Sequence, residues 1–158
     1  MIKVKTIGMI EKNAKNNPVV KAHQDLKNGA LHVAADGVTA FPADGTAAAK
    51  QDKNICIALN IASGDDRYTD FTIKKGEFVN SYLLRAWDGQ EIVFDESHIT
   101  YAKDEDYSKI IPGSTKLVAG VDGNFKTSAD VSNYGIYFEV TGKSQFCGNA
   151  VSAKIVCN

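Results

Sequence analysis

Little in this sequence can staple, anchor or catalyse. Its three cysteines, Cys56, Cys147 and Cys157, form no Cys-x-x-Cys pair and match no zinc spacing. Neither a disulfide framework nor a structural zinc site is predicted, and the odd number fits folding in a reducing compartment. No run approaches the ~18 apolar residues that cross a membrane. The opening Met1-Ile-Lys-Val-Lys5 alternates instead of building the apolar stretch of a signal peptide. A soluble protein made in a cytoplasm, without a membrane partner, is the expectation.

Catalytic signatures are missing too. Gly-x-x-x-x-Gly-Lys-Ser/Thr and Gly-x-Gly-x-x-Gly are absent, which leaves a nucleotide site without support; no nucleic-acid partner is expected. Gly-x-Ser-x-Gly is absent, and His23, His32 and His98 sit in no nucleophile pattern. Two acid groups, Asp65, Asp66 and Asp70, and Asp104, Glu105 and Asp106, lack the EF-hand spacing and its glycine, so they read as solvated loops. The expectation is a protein that is not an enzyme and takes no metal or cofactor.

What the chain does hold is an ordinary globular balance, 44% hydrophobic and 23% charged residues over 158 positions with a net charge of -1. Such a chain buries roughly two thirds of its unfolded surface as one domain. The charge is unevenly placed. Residues 1–30 carry Lys3, Lys5, Lys12, Lys15, Lys21 and Lys27 against Glu11 and Asp25, a charge of +4 beside -5 for the rest. A basic leading segment on an acidic body suits an acidic partner.

Strand signals fill the remainder. Residues 71–94 read as three strands folded back on one another at Lys75-Gly76 and Asp88-Gly89, with a central strand from Phe78 to Trp87. Ile55, Ile57, Leu59 and Ile61 alternate with Cys56, Ala58 and Asn60, and Val38 to Phe41 forms a short strand between two Ala-Asp-Gly turns. Asp95 is placed to cap a helical turn. Asp122-Gly123 predicts a second hairpin, Tyr134 to Val140 alternates, Thr141-Gly142-Lys143 reads as a connection, and Val151 to Cys157 makes a final strand. The prediction is an all-β fold, a single compact antiparallel β-barrel or β-sandwich of about eight to ten short strands over 31–158, with an extended N-terminal arm over 1–30.

Several stretches taken together resemble a known group. Ile7-Gly-Met-Ile-Glu-Lys12, Lys15-Asn-Asn-Pro-Val-Val20, Ile73-Lys-Lys-Gly-Glu-Phe78, Lys116-Leu-Val-Ala-Gly-Val-Asp-Gly-Asn-Phe125 and Ile136-Tyr-Phe-Glu-Val140 are similar to small head proteins of tailed bacteriophages. These are the decoration (cement), auxiliary or head-fibre proteins. The resemblance spans most of the chain, through motifs that are generic hairpin material. It implies a structural virion protein on the outer capsid surface, bound to the major capsid protein, stabilising the shell and forming a homo-oligomer, with a trimer favoured. Capsid contacts would come from the arm. Ile2, Val4, Ile7, Met9 and Ile10 would make apolar or strand-addition contacts, and Lys3, Lys5, Lys12 and Lys15 would meet acids.

The alternative is a carbohydrate- or receptor-binding β-module displayed on the phage head. It rests on Trp87 with Tyr82, Tyr101 and Tyr137 as an aromatic platform, and Trp87 itself reads either as packing within a hairpin or as the aromatic of a ligand or interface site.

Overall fold

A computed structural model describes residues 2–4, 19–34, 36–43, 54–60, 71–145 and 148–158. The expected all-β class holds. One sheet has seven strands, in the order β1 (Ile2–Val4), β9 (Glu91–Asp95), β14 (Ala150–Cys157), β13 (Ile136–Ser144), β11 (Lys116–Ala119), β12 (Phe125–Thr127) and β10 (Ile99–Thr100). All its pairings are antiparallel except β10 with β12. Residues opposite in register share a face, so Ile92, Phe94, Val151, Ala153, Ile155, Phe138, Val140 and Leu117 fall together, and all are buried. Phe125 anchors this face, stacked on Phe94 at 4.2 Å and meeting Phe138 edge-on at 4.8 Å. The opposite face places Glu91, Lys154, Glu139 and Lys116 side by side across four strands, so that the charges alternate in sign.

The second body is a closed barrel of β2 (Val19–Ala22), β5 (Thr39–Pro42), β4 (Leu31–Val33), β6 (Cys56–Ala58) and β8 (Phe78–Leu83). Only the β2–β5 pairing is parallel. Register pairs Val20 with Val79, Ala22 with Ala40, His32 with Cys56, and Ala58 with Ser81. These eight side chains are buried and fill the lumen. Seven of them are small, as a barrel with so few strands requires. Leu31 and Ile57 point the other way, into the core built on the seven-stranded sheet, with Tyr82 packed beside them. A ribbon of β3 (Leu26–Lys27) and β7 (Thr72–Ile73) adds Leu26 and Ile73 to the barrel core.

Residues 71–94 do not form the predicted meander. β7 pairs with β3, β8 with β2 and β6, and β9 with β1 and β14, so consecutive strands belong to different sheets. The turns are where the glycines put them, with Gly76 and Gly89 at φ of +84° and +78°. The predicted single strand from Phe78 to Trp87 ends at Leu83. A 3-10 turn, Leu84–Trp87, then buries Leu84 and Trp87 and carries the chain from barrel to sheet.

The arm expected over 1–30 needs the same correction. Val19 to Lys27 lies within the body, because Val20, Ala22 and Leu26 are core side chains of β2 and β3. Thr141-Gly142-Lys143 is not a connection either. β13 runs through it with a register shift between Val140 and Gly142. The Asp122-Gly123 hairpin does form, between β11 and β12, and Asp95 caps the 3-10 turn Glu96–His98 by accepting from the Ser97 amide.

Candidate functional site

The N-terminal contacts come first. Ile2, Lys3 and Val4 form β1, opposite Phe94, Val93 and Ile92 of the chain's own β9. One side of this backbone is thus engaged internally, whereas an extended arm would leave both free. β1 is the marginal strand of its sheet, and among the described residues β9 is its strand partner. Among the described residues no strand pairs with its other edge, and an unpaired strand edge is a template for a further strand. Lys5, Ile7, Met9, Ile10, Lys12 and Lys15 lie outside the described residues.

Trp87 is not a surface aromatic. It is 1% exposed, with its ring 5.5 Å from that of Tyr82, because the 3-10 turn folds it under the sheet. It packs the core and offers nothing to a glycan.

The histidines take structural positions. His32 Nε2 lies 2.7 Å from Ser81 Oγ inside the barrel. Burial pushes the His32 pKa down to about 4, which keeps the ring neutral. A Ser–His pair is the beginning of a nucleophile. Here His32 and Ser81 are 0% and 3% exposed, so no substrate carbon reaches the hydroxyl. His98 is also buried, and its pKa falls to about 3, by desolvation first and then by the positive charge of Lys27. Asp95, with Oδ2 at 3.9 Å, does not offset this. No group of three His, Cys, Asp or Glu among the described residues is placed to hold a metal ion.

A groove of about 470 Å³ runs between the 102–110 segment and strands β11 and β12. Its charged side chains are occupied by the fold. Asp106 accepts from the Ser108 amide at 2.7 Å, Lys109 Nζ donates to the Asp104 carbonyl, and Glu105 accepts from Thr127 Oγ1. The Asp106 carboxyl sits below its ordinary pKa because it accepts from the Ser108 hydroxyl first and from the Ser108 amide second. Such a groove is braced by its own loops.

The outer wall of the barrel at β5, β2 and β8 is different. Val19, Val38 and Phe78 are 77%, 63% and 62% exposed, and Lys21 joins them. Lys21 lies opposite Phe78 on one side and Thr39 on the other, and its amide donates to the Val38 carbonyl at 2.9 Å. Its Nζ stands 5.0 Å from the Phe78 ring centre, a cation over an exposed aromatic face. Just past the end of β2, His23 leans on Phe41 with ring centres 4.6 Å apart.

No family model, no curated protein and no solved structure matches this chain.

Sequence reasoning missed the wall because Phe78-Val79-Asn80-Ser81 carries one apolar and one polar residue on each face. Period-2 patterning then does not say which side is lumen. Chemically the wall can bind by apolar burial around one cation.

Proposed function

We propose that this protein is a structural component of a virion, a decoration protein that binds the outer surface of a bacteriophage capsid through its N-terminal strand and reinforces the shell. The observation that carries this is the placement of β1 at the margin of the seven-stranded sheet. A segment of the major capsid protein adding to β1 would gain main-chain hydrogen bonds, each worth about 0.5–1.5 kcal/mol net. Three residues make a weak contact, and an icosahedral lattice multiplies it. The charge of +4 in residues 1–30 supports an acidic lattice as the receiving surface. A homo-oligomer, with a trimer favoured, would multiply the contacts again. The carbohydrate-binding alternative loses its leading aromatic, since Trp87 is inside the core.

The test is co-sedimentation with assembled particles that lack this protein. The full chain should saturate them at a fixed stoichiometry, and a chain lacking residues 1–18 should fold but bind poorly. Truncation must stop there, because Val19 begins β2 and Val20 is core. Undiminished decoration by the truncated chain would defeat the proposal.

A further inference from the structure

The exposed barrel wall has no role in the β1 contact, and it departs from an ordinary surface in two ways. Single exposed apolar side chains are common on soluble proteins and need no explanation. Phe78 and Val19 instead share an outward face with one residue, Lys21, through the β2–β8 pairing, and exposed Val38 lies beside them just before β5, its carbonyl accepting from the Lys21 amide. The second departure is electrostatic. The outward positions of these strands are Val19, Lys21, Thr39, Phe41, Phe78 and Asn80, with one cation and no carboxylate. Lys21 makes no ion pair among the described residues. Asp36, nearby at the turn, is committed to the Val38 and Thr39 amides at 3.0 and 2.7 Å.

We infer that this wall is a second docking surface, and that its occupant is a protein surface presenting a carboxylate beside apolar side chains. Covering Phe78 takes water from the Lys21 ammonium that stands over its ring. That desolvation is unfavourable unless the incoming surface brings an opposite charge to the same point. A second copy pairing isologously through this wall would have to bring an anion to each Lys21, and the outward strand positions of the wall supply none. A nucleic-acid strand would need several cations in a row for its phosphates, and the wall has one. Aliphatic and aromatic surface around a lone positive charge suits an acidic, apolar protein patch. On the capsid reading, which this inference extends, that patch belongs to the lattice beneath the barrel, so the protein would hold the shell at two separate places.

The test is a co-sedimentation titration on particles lacking this protein, with the full-length chain and three variants. Lys21→Glu and Phe78→Ser should each raise the half-saturating concentration by at least ~10-fold, the loss typical of a central contact. Lys103→Glu, on a remote exposed loop, should bind like the parent. Phe78 and Lys21 are exposed, so thermal melts of all three should match the parent. Parental binding by both wall variants overturns the second docking surface and leaves the β1 contact standing. Failure of the parent chain itself to bind overturns the capsid reading, and this inference with it. Two other results reassign the wall. A dimer in sedimentation velocity that Phe78→Ser dissociates gives it to a second copy, and binding of a fluorescent oligo-dT that Lys21→Glu abolishes gives it to nucleic acid.

Discussion

His32 and Ser81 meet at 2.7 Å across the barrel lumen, joining β4 to β8 through a polar contact in an interior of alanine, valine and cysteine. Deep burial forces the His32 ring to be neutral in the folded protein, whereas it titrates near 6.5 when the chain is unfolded.

Acid should therefore unfold this protein early. The folded pKa of His32, about 4, lies below the unfolded value of 6.5, so between these limits the unfolded chain binds the extra proton. Stability is complete above pH 6.5 and falls as the pH drops toward 4, by on the order of 3 kcal/mol for this residue. His98, depressed to about 3, acts in the same direction and extends the loss further down. Thermal melts at stepped pH should show the midpoint falling through this range, with a shallower fall in His32→Gln. A midpoint that stays level from neutral pH to 4.5 would contradict the buried neutral histidines.

The single tryptophan gives the core its own reporter. Trp87 is 1% exposed and supports Tyr82. Native emission should be blue-shifted and poorly quenched by acrylamide, becoming red-shifted and accessible on unfolding. Trp87→Ala should destabilise by about 3–5 kcal/mol in a denaturant titration, the usual range for emptying a large core site. Strong native quenching would place the indole outside.

Two glycines with nearly the same backbone should respond very differently to alanine. Gly123 has φ of +77°, and a Cβ there would lie 2.5 Å from the Leu31 carbonyl oxygen and 3.1 Å from Ala30 Cβ. Gly113 has φ of +79° and open space around it. Gly113→Ala should cost about 1 kcal/mol from backbone strain alone. Gly123→Ala adds a collision with β4 and should cost at least about 2–3 kcal/mol, since neither strand nor hairpin can withdraw. Equal losses in chemical denaturation would mean that the β11–β12 hairpin does not rest on the barrel.

Local structure was legible in the residues, whereas pairing was not. Ile136, Phe138 and Val140 alternate with Tyr137 and Glu139, and β13 follows that pattern. The Asp95 cap and the Asp122-Gly123 hairpin likewise need only their neighbours. Gly76 and Gly89 mark real turns, but a turn shows that the chain changes direction without showing which strand it meets next. β9 finds β14 some sixty residues later and β1 far earlier, through shape and apolar complementarity that no short window contains. The β1 edge was read as an arm because alternation in Ile2-Lys3-Val4 fits an edge strand and a free segment equally well. The exposed wall escaped notice because its inner and outer residues have the same mixed polarity.

The order β9, β14, β13 places the strand nearest the end of this sequence in the middle of the larger sheet. During synthesis, β9 and β13 are made first and must wait with bare edges until residues 150–157 leave the ribosome. That interval is the time of greatest exposure to sticking between nascent chains. A ribosome that stalls or terminates shortly before Ala150 would release a polypeptide with a finished barrel beside a split sheet, a ready substrate for chaperones and proteases.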